Sequence, residues 1–420
     1  MRPARSVYLA AQALTPFIGK GNPAFIGPGH PDFGKKENPS LEDYLTAAVR
    51  KLIQDYQVDP ALVQRGYVGN FAGELFCNQG FLGAMVSRAD PRLAGVGFAR
   101  MEAACASGGT ALVAGMDAIQ AGLDVVLVVG AEVQTSVKAR QGADYLARAS
   151  HYATERSLDD FTFPALLTRR AKAYKERHGL TERDLALFSV KAYANANRNP
   201  LAHMHAVKMT LEQAAGSGDG NPRFLGNPEL APHLKMSDCS QVSDGGGAVL
   251  LASAEGLKKL GRAPKDCVQV KSYGFATNPL GQVKDLLRLD TAAQATQEAL
   301  RDAGIRPNDV QVAEVHDCFT IAELMMYEAV GWAKPGQGAE LIRSGRTTLE
   351  GDLPVNTGGG LVGFGHPVGA TGIKQAVEIF RQMKGLCGDY QLQRELQTGL
   401  TVNMGGDDRT VVSLVIENVS

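Results

Sequence analysis

The stretch VAEVHDCFTIAELMM, residues 312–326, changes character in its middle. VAEV is a short apolar run of the kind that forms a strand buried on both faces of a parallel sheet, and the residues after HDCF read as the helix carrying Leu324 and Met325. His316 and Cys318 then stand at the carboxyl end of a strand, which is where open α/β sheets bind their ligands. An imidazole there can donate a hydrogen bond to an oxygen as it becomes negative, worth roughly 3 to 4 kcal/mol for one aimed donor. A thiol beside it can carry the proton that a carbon nucleophile gains or loses.

A second strand-to-helix turn lies in ACASGG, residues 104–109. Cys105 sits where an apolar stretch gives way to a helix of small residues, so its sulfur meets unpaired N–H groups and the positive end of the helix dipole. That position is expected to favour the thiolate, a nucleophile able to take an acyl group from a thioester, more so with an imidazole beside it. The candidate imidazole is His366 in GHPVGATG, residues 365–372. An offset of 366 − 105 = 261 places Cys105 on His366, and the same offset superposes Gly108 on Gly369, Thr110 on Thr371 and Leu112 on Ile373. Two turns of similar design are implied, facing each other across a pseudo-two-fold axis.

Packing alone explains much of the remaining chemistry. Free cysteines are among the most buried residue types, so Cys77, Cys239, Cys267 and Cys387 read as small core residues or surface thiols. His30, His151, His178, His203, His205 and His233 have no comparable context and receive no role. Six cysteines without a CxxC pair argue against a zinc site or a disulfide framework and for a reducing compartment. A formal net charge of −1 gives no sign of a nucleic-acid partner. With 44% hydrophobic and 21% charged residues the composition is that of an ordinary globular protein, and 48 glycines fit many tight turns. No run of about 18 apolar residues spans a membrane, MRPARSVYLAAQ lacks the apolar core of a leader, and NVS is not a peroxisomal tripeptide. Cytoplasm is the expected location.

Strands are expected at 7–10, 67–71 and 125–129, with a helix at 41–53. The stretch 104–120 is apolar nearly all round and reads as a helix buried in the middle of the molecule. From about 134 to 236 the pattern turns charged, irregular and helical, with a Gly/Asn/Pro-rich loop at 216–228, as an inserted loop domain would. Sheet-like sequence returns at 247–252. A second half, 266–420, begins near Cys267 and repeats the alternation, giving an N-terminal half of 1–265 that includes the insertion. Alternating strands and helices imply an α/β fold with mainly parallel sheets.

ACASGG, HDCF, GHPVGATG and VNMGG (402–406), in this order, resemble the active-site segments of thiolases, and HDCF resembles the sterol-carrier-protein-2 type. The resemblance covers essentially the whole chain and implies a five-layer α-β-α-β-α arrangement of two related halves. It also implies roles: Cys105 takes the acyl group, His366 activates it, and His316 with His366 forms one oxyanion site. Backbone N–H groups of Cys105 and Gly405 form the other. Many thiolases place an acid/base cysteine where this chain has Asn403, and Cys318 of HDCF would substitute. Ser240, in CSQVSDGGG (239–247), falls near a position that touches the CoA pantetheine.

GDDR at 406–409 departs from the family pattern of small and glycine residues. Two buried, unpaired carboxylates would raise the pKa of a nearby thiolate, unless Arg409 neutralises one or all three face solvent. Arg169 and Arg170 are candidates to meet CoA phosphates. The implied substrates are acyl-CoA and CoA, with no bound cofactor or metal. The implied activity is 3-ketoacyl-CoA thiolysis or acetyl-CoA acetyl transfer, in a homodimer or homotetramer, with an accessory subunit as a further partner. Rival readings are a 3-ketoacyl synthase-like condensing enzyme, a partner-dependent thiolase-like aldolase, and a non-catalytic acyl-CoA- or lipid-binding relative.

Overall fold

The computed structural model describes residues 5–19 and 38–419; His30 lies outside them. Nine strands form one sheet: β1 (Val7–Leu14), β2 (Arg65–Gly69), β3 (Gly97–Met101), β4 (Val125–Glu132), β5 (Gly245–Ala252), β6 (Val268–Thr277), β7 (Val312–Val315), β8 (Thr398–Gly405) and β9 (Thr410–Asn418). Their order is β3-β2-β4-β5-β1-β6-β9-β8-β7. Read outward from the β1–β6 seam, the first half runs β1, β5, β4, β2 and the second runs β6, β9, β8, β7. The two halves repeat one plan. At the seam Val7 faces Val270 and Leu9 faces Val268.

The expectation of mainly parallel sheets is corrected. Only β2–β3, β2–β4 and β7–β8 pair in parallel, while β1–β5, β1–β6, β4–β5, β6–β9 and β8–β9 are antiparallel. Parallel neighbours need a crossover connection, but a long helical connection does not impose parallel pairing. The tight reversal from Gly405 to Thr410 makes β8–β9 a hairpin, and β5 returns only after a long helical excursion. Periodicity records burial and is silent about strand direction.

Burial explains the strands. Every residue of β4, VVLVVGAE, and of β5, GGGAVLLA, is buried, as strands covered on both faces must be. The helix Leu41–Tyr56, started by a capping box between Ser40 and Asp43, covers the outer face of β1, β4 and β5. The helix Asp290–Ala303 covers β6 and β9 in the same way. Between the two half-sheets lie the helices Ser107–Gln120 and Thr371–Met383, each touching strands of both halves. The layers are therefore helix, sheet, helix pair, sheet, helix.

The central helices meet where neither has a side chain to spare. A Cβ on Gly108 would lie 2.9 Å from the Gly369 carbonyl oxygen, and one on Gly372 would lie 2.3 Å from the Gly109 nitrogen. The turns matched by the 261-residue offset thus face each other, N-terminus to N-terminus. From β4 to β5 the chain is helical, through Ala139–Leu146, Thr162–His178, Glu182–Ala196 and Leu211–Ala215. Among the described residues no helix is long and apolar enough to cross a membrane.

Candidate active site

Cys105 is presented by a strained turn. Ala104 has φ +51°, a left-handed conformation that costs a residue with a Cβ roughly 1–2 kcal/mol. A 3-10 turn, Ala104–Ala106, then leads into the helix Ser107–Gln120. Asn403 at the end of β8 stitches this turn down: its Nδ2 donates to the Cys105 carbonyl at 3.0 Å and its Oδ1 accepts the Gly109 N–H at 3.1 Å. Asn403 therefore does structural work at the position where the resemblance led one to look for an acid/base cysteine.

His316 follows directly on β7, and His366 sits just before the second central helix, both fully enclosed. Their rings stand edge to face with centroids 5.1 Å apart. The Cys105 sulfur and one ring nitrogen of each histidine lie within 4.8 Å of one another. In both rings Nε2 is buried without a protein partner, while Nδ1 is held, and held differently.

The Met404 N–H donates to His316 Nδ1 at 3.3 Å, so that nitrogen carries the lone pair and Nε2 carries the hydrogen. His366 Nδ1 lies 2.7 Å from the Thr371 hydroxyl, which also reaches the Pro367 carbonyl at 3.0 Å. A carbonyl only accepts, so the single hydroxyl proton goes to Pro367, and Thr371 accepts from His366 Nδ1–H. His366 Nε2 is left as a bare base. The two imidazoles thus present opposite faces of one chemistry: His316 a donor, His366 an acceptor. As metal ligands the trio is poorly matched, because His316 Nε2–H offers no lone pair and two donors fall short of the three protein ligands of a catalytic zinc.

Burial dominates the electrostatics. It pushes the Cys105 thiol up to about 12, with Glu132 adding, against the lowering effect of the Gly406 N–H on the sulfur. The expectation that the helix terminus favours a thiolate thus meets an opposing effect, since enclosing the sulfur disfavours its charged form. Burial also drives the His366 imidazole down to about 3, and lowers His316 well below its ordinary value, with His366 adding. The resting pair is a neutral thiol and a neutral imidazole. Cys318 is raised well above the usual thiol value, first by burial and then by the Cys105 sulfur and the Asp317 and Asp407 carboxylates.

Cys105, Cys318 and His366 line one cavity of about 310 Å³, walled by Leu146, Phe161, Phe163, Phe224, Met236 and Phe319, with Gln134, Ser240 and Gln241 as its polar edge. The Ser240 N–H donates to the Cys318 carbonyl at 2.9 Å, fixing the HDCF segment against the glycine-rich one. The backbone N–H groups of Gly406 and of Cys105 itself act on the Cys105 sulfur and lower its value. Gly405 instead packs so closely under the turn that a Cβ would lie 2.1 Å from the Ala103 carbonyl oxygen.

The GDDR segment is buried and does not face solvent. Asp407 pairs with the guanidinium of Arg170, which also donates to the Arg288 carbonyl at 2.8 Å. Asp408 accepts the Thr291 and Ala292 N–H groups, both at 2.9 Å, at the start of the helix Asp290–Ala303. Arg409 donates to the carbonyls of Asp407, Pro279 and Gln282 and neutralises neither carboxylate by direct contact. Arg170 is consumed by this network and Arg169 bonds Glu155 at 3.2 Å, so the expectation that the pair meets CoA phosphates is corrected. Thr371, Met404 and Gly406 were missed as site residues. Thr371 stands inside the GHPVGATG segment, whereas the other two act through backbone amides that no side-chain pattern reveals.

A buried Cys–His–His constellation at the facing N-termini of two central helices defines an acyl-transfer enzyme of the duplicated α/β class. Comparison with known proteins agrees. "Thiolase, N-terminal domain" matches residues 29–218 and "Thiolase C-terminal domain-like" matches 272–418. Acetyl-CoA acetyltransferase of Methanothermobacter thermautotrophicus is 34% identical over 388 residues, 92% of this chain and 97% of that protein. Benzoylsuccinyl-CoA thiolase subunit BbsB of Thauera aromatica is 30% identical over 391 residues (91% and 94%). Sterol carrier protein 2 of Oryctolagus cuniculus is 28% identical over 413 residues, 94% of this chain and 71% of its own. The chain belongs to the thiolase family, and it is an acyltransferase. Among solved structures the Ltp2-ChsH2(DUF35) aldolase has a TM-score of 0.77 at 21% identity, covering 98% of this chain and 97% of that one. Acat5 thiolase of Ascaris suum in complex with coenzyme A has 0.70 at 15%, covering 99% and 100%. Both share the fold.

Proposed function

We propose that the protein cleaves 3-ketoacyl-CoA with CoA through an acyl-Cys105 intermediate, and runs the reverse Claisen condensation on the same residues. The observation that carries this reading is the opposed tautomers of His316 and His366 beside the Cys105 sulfur. Because the thiol is neutral at rest, its proton passes to His366 Nε2 as the sulfur attacks the 3-keto carbon. The oxyanion so formed is held by the backbone N–H groups of Cys105 and of the Gly405–Gly406 turn. When the C2–C3 bond breaks, its electron pair moves into the enolate of the departing acyl-CoA, whose oxygen takes hydrogen bonds from His316 Nε2–H and the His366 imidazolium. Cys318 protonates C2, and its thiolate then removes the proton of incoming CoA. The CoA sulfur takes the acyl group, and Cys105 recovers its proton from His366.

Ser240 at the polar edge of the cavity is the proposed pantetheine contact. The same reading makes the chain a homodimer or homotetramer acting in the cytoplasm on fatty acyl-CoA in β-oxidation, with halves 1–265 and 266–420 and a loop domain at about 134–236. An accessory subunit is proposed by analogy with the Thauera protein, which is named as a subunit, and with Ltp2, which is paired with a DUF35 protein. The test follows loss of the 3-ketoacyl-CoA enolate absorbance with acetoacetyl-CoA and a longer substrate. Wild type turns over, Cys105→Ala does not, and Cys318→Ala forms acyl-Cys105 by mass spectrometry without completing the cycle. Intact CoA and an unmodified Cys105 in the wild type would sink the reading.

A further inference from the structure

Asp317 stands between His316 and the cavity-lining Cys318, yet its carboxylate turns the other way. It is fully buried. Its Oδ1 accepts the Leu361 N–H at 2.7 Å and its Oδ2 lies 3.4 Å from the Val362 N–H. These amides belong to the glycine-rich loop that ends at His366. Gly360 has φ +62°, and a Cβ there would lie 2.2 Å from Asp317 Oδ2, so the loop is shaped around this carboxylate. A second brace runs alongside. Lys374, on the helix that follows His366, donates to Glu314 Oε2 at 2.7 Å and to the Gly360 carbonyl at 3.3 Å. Glu314 is on β7, two residues before His316, and both partners are completely buried.

We infer that Asp317 and the Glu314–Lys374 pair are positioning residues that set the spacing of His316 and His366. The inference rests on the reading of these histidines as donor and base. The loops that carry them come from β7 and from the approach to the second central helix, and no strand pairing joins those two segments at the level of the rings. Upstream, the Ala313–Val355 bridge and the Asn356 side chain, which accepts the Val315 N–H at 2.9 Å, join the same two segments; beyond Asn356 the carboxylate–amide contacts and the ion pair tie them together. A shift of the His366 loop by about 1 Å changes how Nε2 approaches the Cys105 sulfur, and misplacement on that scale costs on the order of a hundredfold in rate. The groups packed around the brace are Glu314, Asp317, Glu323, Glu378, Lys191 and Lys374, and none of them faces the cavity.

The test uses the full chain and two variants. Asp317→Asn keeps the shape and removes one acceptor. The double change Glu314→Gln with Lys374→Met removes both charges of the ion pair, leaves Asp317 and Glu378 one cation fewer, and stands in if Asp317→Asn does not fold. Carbamidomethylation of Cys105 by iodoacetamide, followed by mass spectrometry per folded molecule, reports His366-assisted deprotonation with no need for thiolase turnover, and kcat and KM are measured on acetoacetyl-CoA. Expected are a drop of roughly a hundredfold in kcat with KM within about threefold, and a fall of at least about tenfold in the alkylation rate at neutral pH. Alkylation within about twofold of wild type in a folded variant overturns the inference, whatever happens to turnover. A wild type that alkylates normally and does not cleave 3-ketoacyl-CoA leaves the brace tested by alkylation and counts against the thiolase reading alone.

Discussion

Thr371→Val isolates the feature that makes His366 a base. The change is nearly isosteric, so the helix start and the contact with Gly109 are preserved, and only the hydroxyl is lost. In the native protein that oxygen accepts His366 Nδ1–H at 2.7 Å. Without it a buried N–H has no partner, at a cost of roughly 1–3 kcal/mol, which the ring can avoid by moving its proton to Nε2. That tautomer cannot receive the Cys105 proton. At 1.36 kcal/mol per tenfold, the population of the competent form falls roughly 5- to 150-fold. The assay is the second-order rate of Cys105 alkylation by iodoacetamide at pH 7, alongside kcat/KM for 3-ketoacyl-CoA cleavage, with Thr371→Ser as the control that keeps the oxygen. Both rates should fall together in the valine variant and stay within about threefold of wild type in the serine variant. Equal rates in wild type and valine variant would refute the assignment of Nε2 as the bare nitrogen.

The remaining predictions concern stability. His366 titrates near 3 in the fold against an ordinary 6.5, so the unfolded chain binds the extra proton. Its contribution is complete above pH 6.5 and is lost, by about 1.4 kcal/mol per pH unit, as pH falls from there toward 3. His366→Asn should flatten the acid limb of a urea-denaturation series by one proton, and an unchanged slope would contradict the buried neutral imidazole. Gly372→Ala would set a methyl 2.3 Å from the Gly109 nitrogen, forcing the central helices apart. A loss of about 1–3 kcal/mol or more, read as a lower urea midpoint, is expected. Asp407→Asn strands the Arg170 guanidinium, only 1% exposed, and should cost about 3–5 kcal/mol by chemical denaturation. A value under about 1 kcal/mol would mean that the pair is not sealed from water.

Much of the architecture was legible because burial leaves a local trace. VAEV, VVLVVG and the small-residue run after Cys105 announce strands and a helix covered on all sides, and the match of Cys105 with His366 anticipated two turns that face each other. What stayed hidden depends on distant partners. Strand direction is invisible to periodicity, so a mixed sheet was expected as a mainly parallel one. Arg170 and Asp407 are 237 positions apart, and neither residue's neighbours hint at the other. The thiol at Cys105 was read from the dipole at its own helix end, a local effect. The opposing desolvation comes from the whole surrounding fold. The roles of Met404 and Gly406 lie in their main-chain amides, which every residue but proline possesses.

The seam between the halves also governs when the chain becomes reactive. Cys105 precedes by 299 positions the Met404 amide that fixes the His316 tautomer. Until the two are brought together the sulfur is an ordinary thiol, with no base beside it and no cavity around it. On the proposed mechanism the site is complete only with β8 in place between β7 and β9. The groups proposed to react are divided between the halves, Cys105 on one side and His316, Cys318 and His366 on the other.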